Sequence, residues 1–403
     1  MKTLKAIVNT AIIVMVCVGC SQQAKEKIPK LNDVDTSTVV SIDAEIELAG
    51  RWIMDLDADV MLDPQTSGLK YANGYLYSVS DGSANVSQTR RLHQISMRDS
   101  SVTAKYGPTT FSKGVAESCF YNYLANKPDY EALVPVNGDD DVWIFVTEDA
   151  SRTRQLSDAC QEQYKASGST LFPTLVVRLK LTKNQLEVTH VRPVQFDPKA
   201  RVGNFPNDGI EGLTITRDGR LLLGLEKDDF GHARVFELSL TDDFWQTQTF
   251  AKAKDSKLLL PKFTSGNHPI NGMDVYYPSA DSQGYLFAAA RNDSELWIVD
   301  LAKRKPTKRV KLTFRAPSVQ SVATYSADES AEESALTNGC EETHIMNNAS
   351  IEGLAVVENE VWLVNDPWKV NYIKNAVCEA DEPRYKRMAP LLFKLEIGES
   401  WFE

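Results

Sequence analysis

Glu211-Gly212-Leu213-Thr214-Ile215, then Asp218-Gly219-Arg220-Leu221, then Leu225-Glu226, is a run that returns in altered form along the chain. Near the C-terminus it reads Glu352-Gly353-Leu354, Asn359-Glu360-Val361-Trp362, Asn365-Asp366. Near the start it reads Ser67-Gly68-Leu69, Asn73-Gly74-Tyr75-Leu76-Tyr77, Ser80-Asp81. A fourth copy reads Asn271-Gly272-Met273, Gly284-Tyr285-Leu286-Phe287, Ala290-Arg291. A degenerate copy is read as Glu117-Ser118-Cys119, a long insertion from Phe120 to Asp140, then Asp141-Val142-Trp143 and Thr147-Glu148. Each copy is two short β-branched or aromatic runs joined by a tight turn. Asn-Gly and Asp-Gly supply the positive φ that a two-residue hairpin needs. Further strands follow, led by Leu92, Leu175, Arg234, Leu296 and Leu391.

Units of this kind, repeating along the chain, predict an all-β fold: a β-propeller of four-stranded antiparallel blades. Five blades are visible, and a sixth between residues 100 and 200 stays open. The segment Glu45 to Ile53 precedes the first blade and is expected to complete the last one. That would close the ring and remove a sheet edge.

The chain has 403 residues, 42% hydrophobic and 25% charged, with a net charge of −11. Such a balance argues against a nucleic-acid binder, which needs clustered positive charge to displace counterions. Residues 1–19 carry Lys2 and Lys5, an apolar run from Ala11 to Val18, and then Cys20. This is the pattern of a signal peptide. The Val16-Cys17-Val18-Gly19-Cys20 stretch resembles a bacterial lipobox, which implies lipidation of Cys20 and a membrane anchor. Ser21 after the anchor implies an outer-membrane lipoprotein, facing the periplasm or the cell surface. Residues 20–44 then read as anchor and polar tether, and 45–403 as one propeller domain, expected to be a monomer. Four cysteines remain, an even number suited to an oxidising compartment. Cys119 and Cys160 fall in one blade, and Cys340 and Cys378 in another, so pairing within each blade is expected.

Asp208-Gly209-Ile210-Glu211-Gly212-Leu213-Thr214-Ile215, with Asp218-Gly219 and Glu226, resembles the signature of the phytase-like propeller family, also described as having esterase-like activity. Ser350 to Val356 repeats it. The resemblance spans residues 50 to 398 and implies an extracytoplasmic propeller with a phosphoesterase or esterase activity.

Propeller geometry sorts the candidate residues. The start of each inner strand and the end of the next lie at one end of the channel. One tier there is Ser67, Glu117, Glu211, Asn271 and Glu352; the other is Asp81, Glu148, Glu226, Arg291 and Asp366. Like charges so close cost about 4 kcal/mol per pair at an effective dielectric of about 20, so something must compensate. Ca2+, which takes six to eight oxygen ligands, is the natural cofactor. Glu117, Glu211, Glu352, Asp81, Glu148 and Asp366 are the candidate metal ligands. Glu211, Glu226 and Glu352 are the candidates to activate water. Arg291, Asn271, His268 and His232 are candidate ligand-binding residues. No GxSxG or HExxH motif is present, which removes the usual serine-esterase elbow and the zincin helix. The expected function is binding of a small ligand or divalent metal at an acidic channel mouth, with ester hydrolysis as its chemistry. The alternative is a non-catalytic envelope scaffold for a protein or a glycan.

Overall fold

A computed structural model describes residues 39–318 and 341–403, apart from residues 137, 149–156, 159, 161, 163–173, 184 and 203–208. It is a five-bladed β-propeller, with blades of four to six strands. The inner strands, in ring order, are Thr66–Ala72 (blade I), Tyr130–Val136 (II), Ile210–Ile215 (III), Ile270–Tyr276 (IV) and Ile351–Val357 (V). Each packs beside the next, and V closes on I. No sixth blade is present among the described residues.

Five hydrophobic cores fill the five spaces between blades. Blade III shows how one strand serves two of them. Leu221 and Leu223 join the core shared with blade II, while Leu222 joins the core shared with blade IV. Side chains alternate across a strand, so a blade buried on both faces must be apolar at every position. This accounts for runs such as Leu221-Leu222-Leu223.

Close approach of the inner strands explains the glycine that follows the site position. A Cβ on Gly353 would lie 2.7 Å from the backbone carbon of Gly68 in the neighbouring blade. Blade II carries Ala132 in this position, buried against blade III.

Three features differ from the sequence reading. The blade II inner strand is Tyr130–Val136, not a strand opening at Glu117. Glu117 instead caps the one-turn helix Lys113–Ala116. The Phe120–Asp140 stretch is therefore no insertion between the first two strands: it holds the helix Tyr121–Asn126 and then the inner strand itself. The Glu45–Ile53 segment also divides. Val39–Ala49 adds in parallel to the outer strand Thr307–Pro317 of blade IV, and only Arg51–Trp52 completes blade V. The chain turns between them at Gly50, whose N–H donates to the Arg315 carbonyl at 2.8 Å.

Cys119 and Cys160 form a disulfide across a separation of 41 residues. Cys378 is also disulfide-bonded, and its expected partner Cys340 lies outside the described residues. So do the signal sequence and Cys20. Among the described residues no helix is long and apolar enough to cross a membrane.

Candidate functional site

Every first-tier residue is the second residue of its inner strand: Ser67, Glu131, Glu211, Asn271 and Glu352. Every second-tier residue directly follows the second strand of its blade: Asp81, Glu148, Glu226, Arg291 and Asp366. In blades II to V the pairing register slips at the first-tier residue. Ile210 pairs Leu225 and Gly212 pairs Gly224, so Glu211 is the extra residue of a bulge. Glu131, Asn271 and Glu352 sit in the same way. A bulge releases a residue from strict alternation and re-aims its side chain. Here it delivers one polar group per blade to the end of the channel.

Nine of these ten residues line one cup of about 530 Å³. The tenth, Asn271, is fully buried just beneath, in a space it shares with Glu211. Glu131 belongs to the cup and Glu117 does not: the Glu117 side chain is 67% exposed and faces Lys113. The signal for Glu131 was in the sequence. Glu131-Ala132-Leu133 parallels Glu211-Gly212-Leu213, with alanine where the other copies have glycine.

Asp129 is a second acid missed in the sequence; it accepts the Gly82 N–H at 2.8 Å and lines the cup. Glu148 sits tightly under the turn entering blade III, since a Cβ on Gly209 would come 2.3 Å from Glu148 Cγ. Two triads present carboxylate oxygens within 4.8 Å of one another: Asp129, Glu131 and Glu148, and Glu148, Glu211 and Glu226. Glu148 is common to both.

The two sides of the cup differ in compensation. On the blade IV–V side, Arg291 donates to Glu352, and its other Nη lies 3.5 Å from Glu226. Burial works against the guanidinium charge, but Glu352, Glu211 and Glu226 more than reverse that effect, so Arg291 stays charged. On the blade II–III side no cation stands among the lining residues, and Lys227, just outside them, lies 3.5 Å from Glu226. Glu211 is 7% exposed, and Arg291, across the cup, is the cation that acts on it. Burial, and then Glu352, Glu148 and Glu226, push its carboxyl well above the usual range. Glu131 is raised likewise by burial and then by Glu211, although Ser67 Oγ donates to it at 3.3 Å. Glu352 is raised by burial, with Arg291 pulling it back. Asp366 is raised by burial and by Asp81, and its Oδ1 has no hydrogen-bond partner among the described residues. Asp81 is raised to about 7 by burial and by Asp129, against three hydrogen bonds from Ser83 and Ala84.

The candidate histidines are committed elsewhere. His268 is 1% exposed, with Nδ1 2.9 Å from Asp293 and Nε2 2.8 Å from the Ser265 carbonyl. Burial opposes its charge, but the Asp293 contact raises its pKa. His232 Nε2 lies 2.9 Å from the Phe263 carbonyl, and its ring lines a separate cavity between blades III and IV. Neither lines the cup.

One level deeper the channel is shut. Lys70, 3% exposed, donates to the Met273 carbonyl at 2.5 Å and the Leu354 carbonyl at 3.3 Å, and pairs with Asp274 at 3.1 Å. Asp274 also accepts Thr214 Oγ1 at 2.8 Å and the Val356 N–H at 3.0 Å. This hub ties blades I, III, IV and V. The space just above it leaves no room for water, so the cup is blind.

The four long connections of blades II and V all leave from the cup end. Residues 112–129 and 318–350 enter an inner strand, and residues 148–174 and 366–390 join second to third strands. Trp368 and Asn371, from the last of these, line the cup rim.

No protein-family model matches the sequence, and no curated protein matches it. Among solved structures the chain is similar to an α-L-arabinanase from Penicillium chrysogenum complexed with arabinobiose. The identity is 10%, over 85% of this chain and 76% of that one, with a TM-score of 0.35. It is also similar to MPT-4, a mannose phosphorylase from Leishmania mexicana in complex with phosphate ion. That match has 10% identity, over 88% of this chain and 89% of that one, with a TM-score of 0.36. Overlaps this loose carry no argument about the site.

Proposed function

We propose that this protein is an envelope lipoprotein, anchored through Cys20, whose propeller binds a divalent cation and a small ligand in the acidic cup and hydrolyses an ester there. The observation that carries the reading is the Glu148–Glu211–Glu226 triad, three carboxyls with oxygens within 4.8 Å of one another, where Arg291 and Lys227 each lie 3.5 Å from Glu226. Its all-oxygen donor set suits Ca2+ or another hard cation and offers nothing to a metal that prefers nitrogen or sulfur. The orphaned Asp366 Oδ1 fits an added positive charge. Glu148, Glu211 and Glu226 would hold one ion, and Asp129 and Glu131 with the shared Glu148 would hold a second. A bound cation would offset the charge of the cup and polarise an ester oxygen.

The residues of the chain divide the remaining work. Glu352, gripped by Arg291, would take a proton from water. Arg291 keeps Glu352 oriented and Glu226 in reach. The blind floor made by Lys70 and Asp274 stops water from passing through the channel. Charge favours a neutral carboxylic ester over a phosphoester, because Arg291 is the lone cation in the lining and is already paired. The phytase-like resemblance agrees with an esterase of this kind.

The test is a thermal melt of the purified protein with Ca2+ and with chelator, paired with an assay on carboxylic and phosphate esters. Ca2+ is expected to raise Tm in the wild type and not in Glu211→Gln. An equal Tm with Ca2+ and with chelator would remove the cation, and inactivity on every ester in both conditions would remove the hydrolase.

A further inference from the structure

We infer that the ligand of the cup is a neutral polyhydroxylated ring, a sugar residue, laid against the Trp368 indole with its hydroxyls turned to the carboxylates and the rim amides. The inference rests on the reading of the cup as a binding site and names the class of molecule that fits it.

Charge excludes the anionic classes first. Eight carboxyl groups and one guanidinium line the cup, and the guanidinium is already held by Glu352 and Glu226. With all eight ionised, even two divalent cations would leave this lining negative. A phosphate or carboxylate ligand would meet a repulsion that no lining residue offsets.

Hydroxyl groups meet the opposite situation. An ionised carboxylate only accepts hydrogen bonds, and a hydroxyl brings a donor. Glu211, 7% exposed, lines the cup, and Asp366 Oδ1 in the same lining is buried without a donor among the described residues. Asn267 Oδ1 is buried and also lacks one. Asn267, Asn292, Asn348 and Asn371 line the same cup, and each amide both donates and accepts, as a hydroxyl does.

The aromatic residue supplies what the polar groups cannot. Trp368 is 49% exposed, although a large aromatic side chain gains most from burial. It is held in place at the start of the short helix Lys369–Tyr372. Its N–H donates to the Asp366 carbonyl at 2.9 Å, and its own carbonyl accepts from Tyr372 at 2.9 Å. Trp368 stands two residues after Asp366, and both line the cup. A sugar ring has an apolar C–H face and a polar edge of hydroxyls, and this arrangement offers both surfaces at once. The volume of about 530 Å³ lies within the range of small-molecule sites.

The experiment is calorimetric titration of the purified full-length protein, in Ca2+, with neutral trisaccharides of gluco, manno, galacto and xylo configuration. Glucose 6-phosphate and inorganic phosphate are the anionic counterparts. At least one neutral trisaccharide is expected to bind, and more tightly than either anion. Trp368→Ala is expected to weaken that binding about tenfold or more, which corresponds to about 1.4 kcal/mol. Trp368→Phe, which keeps an aromatic face, should stay within about threefold, with circular dichroism confirming that both variants fold. No binding of any neutral sugar while Ca2+ still raises Tm would overturn the inference and leave the cation site standing. Unchanged affinity in Trp368→Ala, or tighter binding of glucose 6-phosphate, would overturn it too. Trp368-dependent sugar binding without any Ca2+ response would support this inference and overturn the cation site instead.

Discussion

Two levels of the same channel, three residues apart along the same strands, treat buried charge in opposite ways. In the lower level Lys70, Asp274 and Thr214 satisfy one another and the carbonyls around them. In the upper level Ser67, Glu211 and Asn271 come from those same three strands, and Glu211 is buried among the like charges of Glu352, Glu148 and Glu226. A group that serves only the fold is given its partners, because an unpaired buried charge is expensive. A cup that keeps acids raised by burial and mutual repulsion stores a demand for something from outside.

The largest effect that would sharpen this contrast comes from Lys70→Met. Removing one member of a buried, hydrogen-bonded pair leaves Asp274 uncompensated and should cost about 3–5 kcal/mol in urea unfolding. A loss below about 1 kcal/mol would show that the lower level is no keystone. The next concerns pH. Asp81 and Asp366 hold their protons above the ordinary carboxylate range, Asp81 to about 7. Between the unfolded value of 3.8 and about 7 the folded state binds protons that the unfolded chain has released. Stability in chelator is therefore present at low pH and lost as pH rises through that window, by on the order of 4 kcal/mol. A Tm in chelator that is flat or rising from pH 5 to pH 7.5 would contradict the accumulation of repulsion in the cup.

Smaller still is Glu211→Gln, which should stabilise the protein in chelator by about 1 kcal/mol, because it removes a buried acid crowded by Glu352, Glu148 and Glu226. Destabilisation there would mean that Glu211 is a staple between blades and no different from Asp274. The smallest effect belongs to Glu117→Gln. Exposed outside the cup, it should change stability by less than about 0.5 kcal/mol and leave any Ca2+ response intact.

The candidate site was legible where the repeat was regular. Glu211 and Glu352 follow from one Glu-Gly-Leu pattern, and Asp81, Glu226 and Asp366 from the end of the second strand. Blade II was misread because its copy carries Ala132 instead of glycine, and because Glu117-Ser118 offered a competing acid ahead of two short helices. Asp129 precedes its strand and has no counterpart in the repeat. The Lys70 hub could not be read at all: its partners lie 203 and 284 residues away, and no local pattern distinguishes a lysine that bonds across the channel from one that meets solvent.

The sequence alone therefore determined the propeller architecture, with five blades visible and a sixth left open, and most of the two tiers of acids, because these depend on short-range periodicity repeated along the chain. The tertiary structure decided which acid of blade II enters the cup, where Arg291 spends its charge, and that the channel is closed beneath. Those outcomes depend on bulges that re-aim single side chains and on contacts between strands distant in sequence, where a shift of one residue exchanges a lining carboxylate for a solvated one.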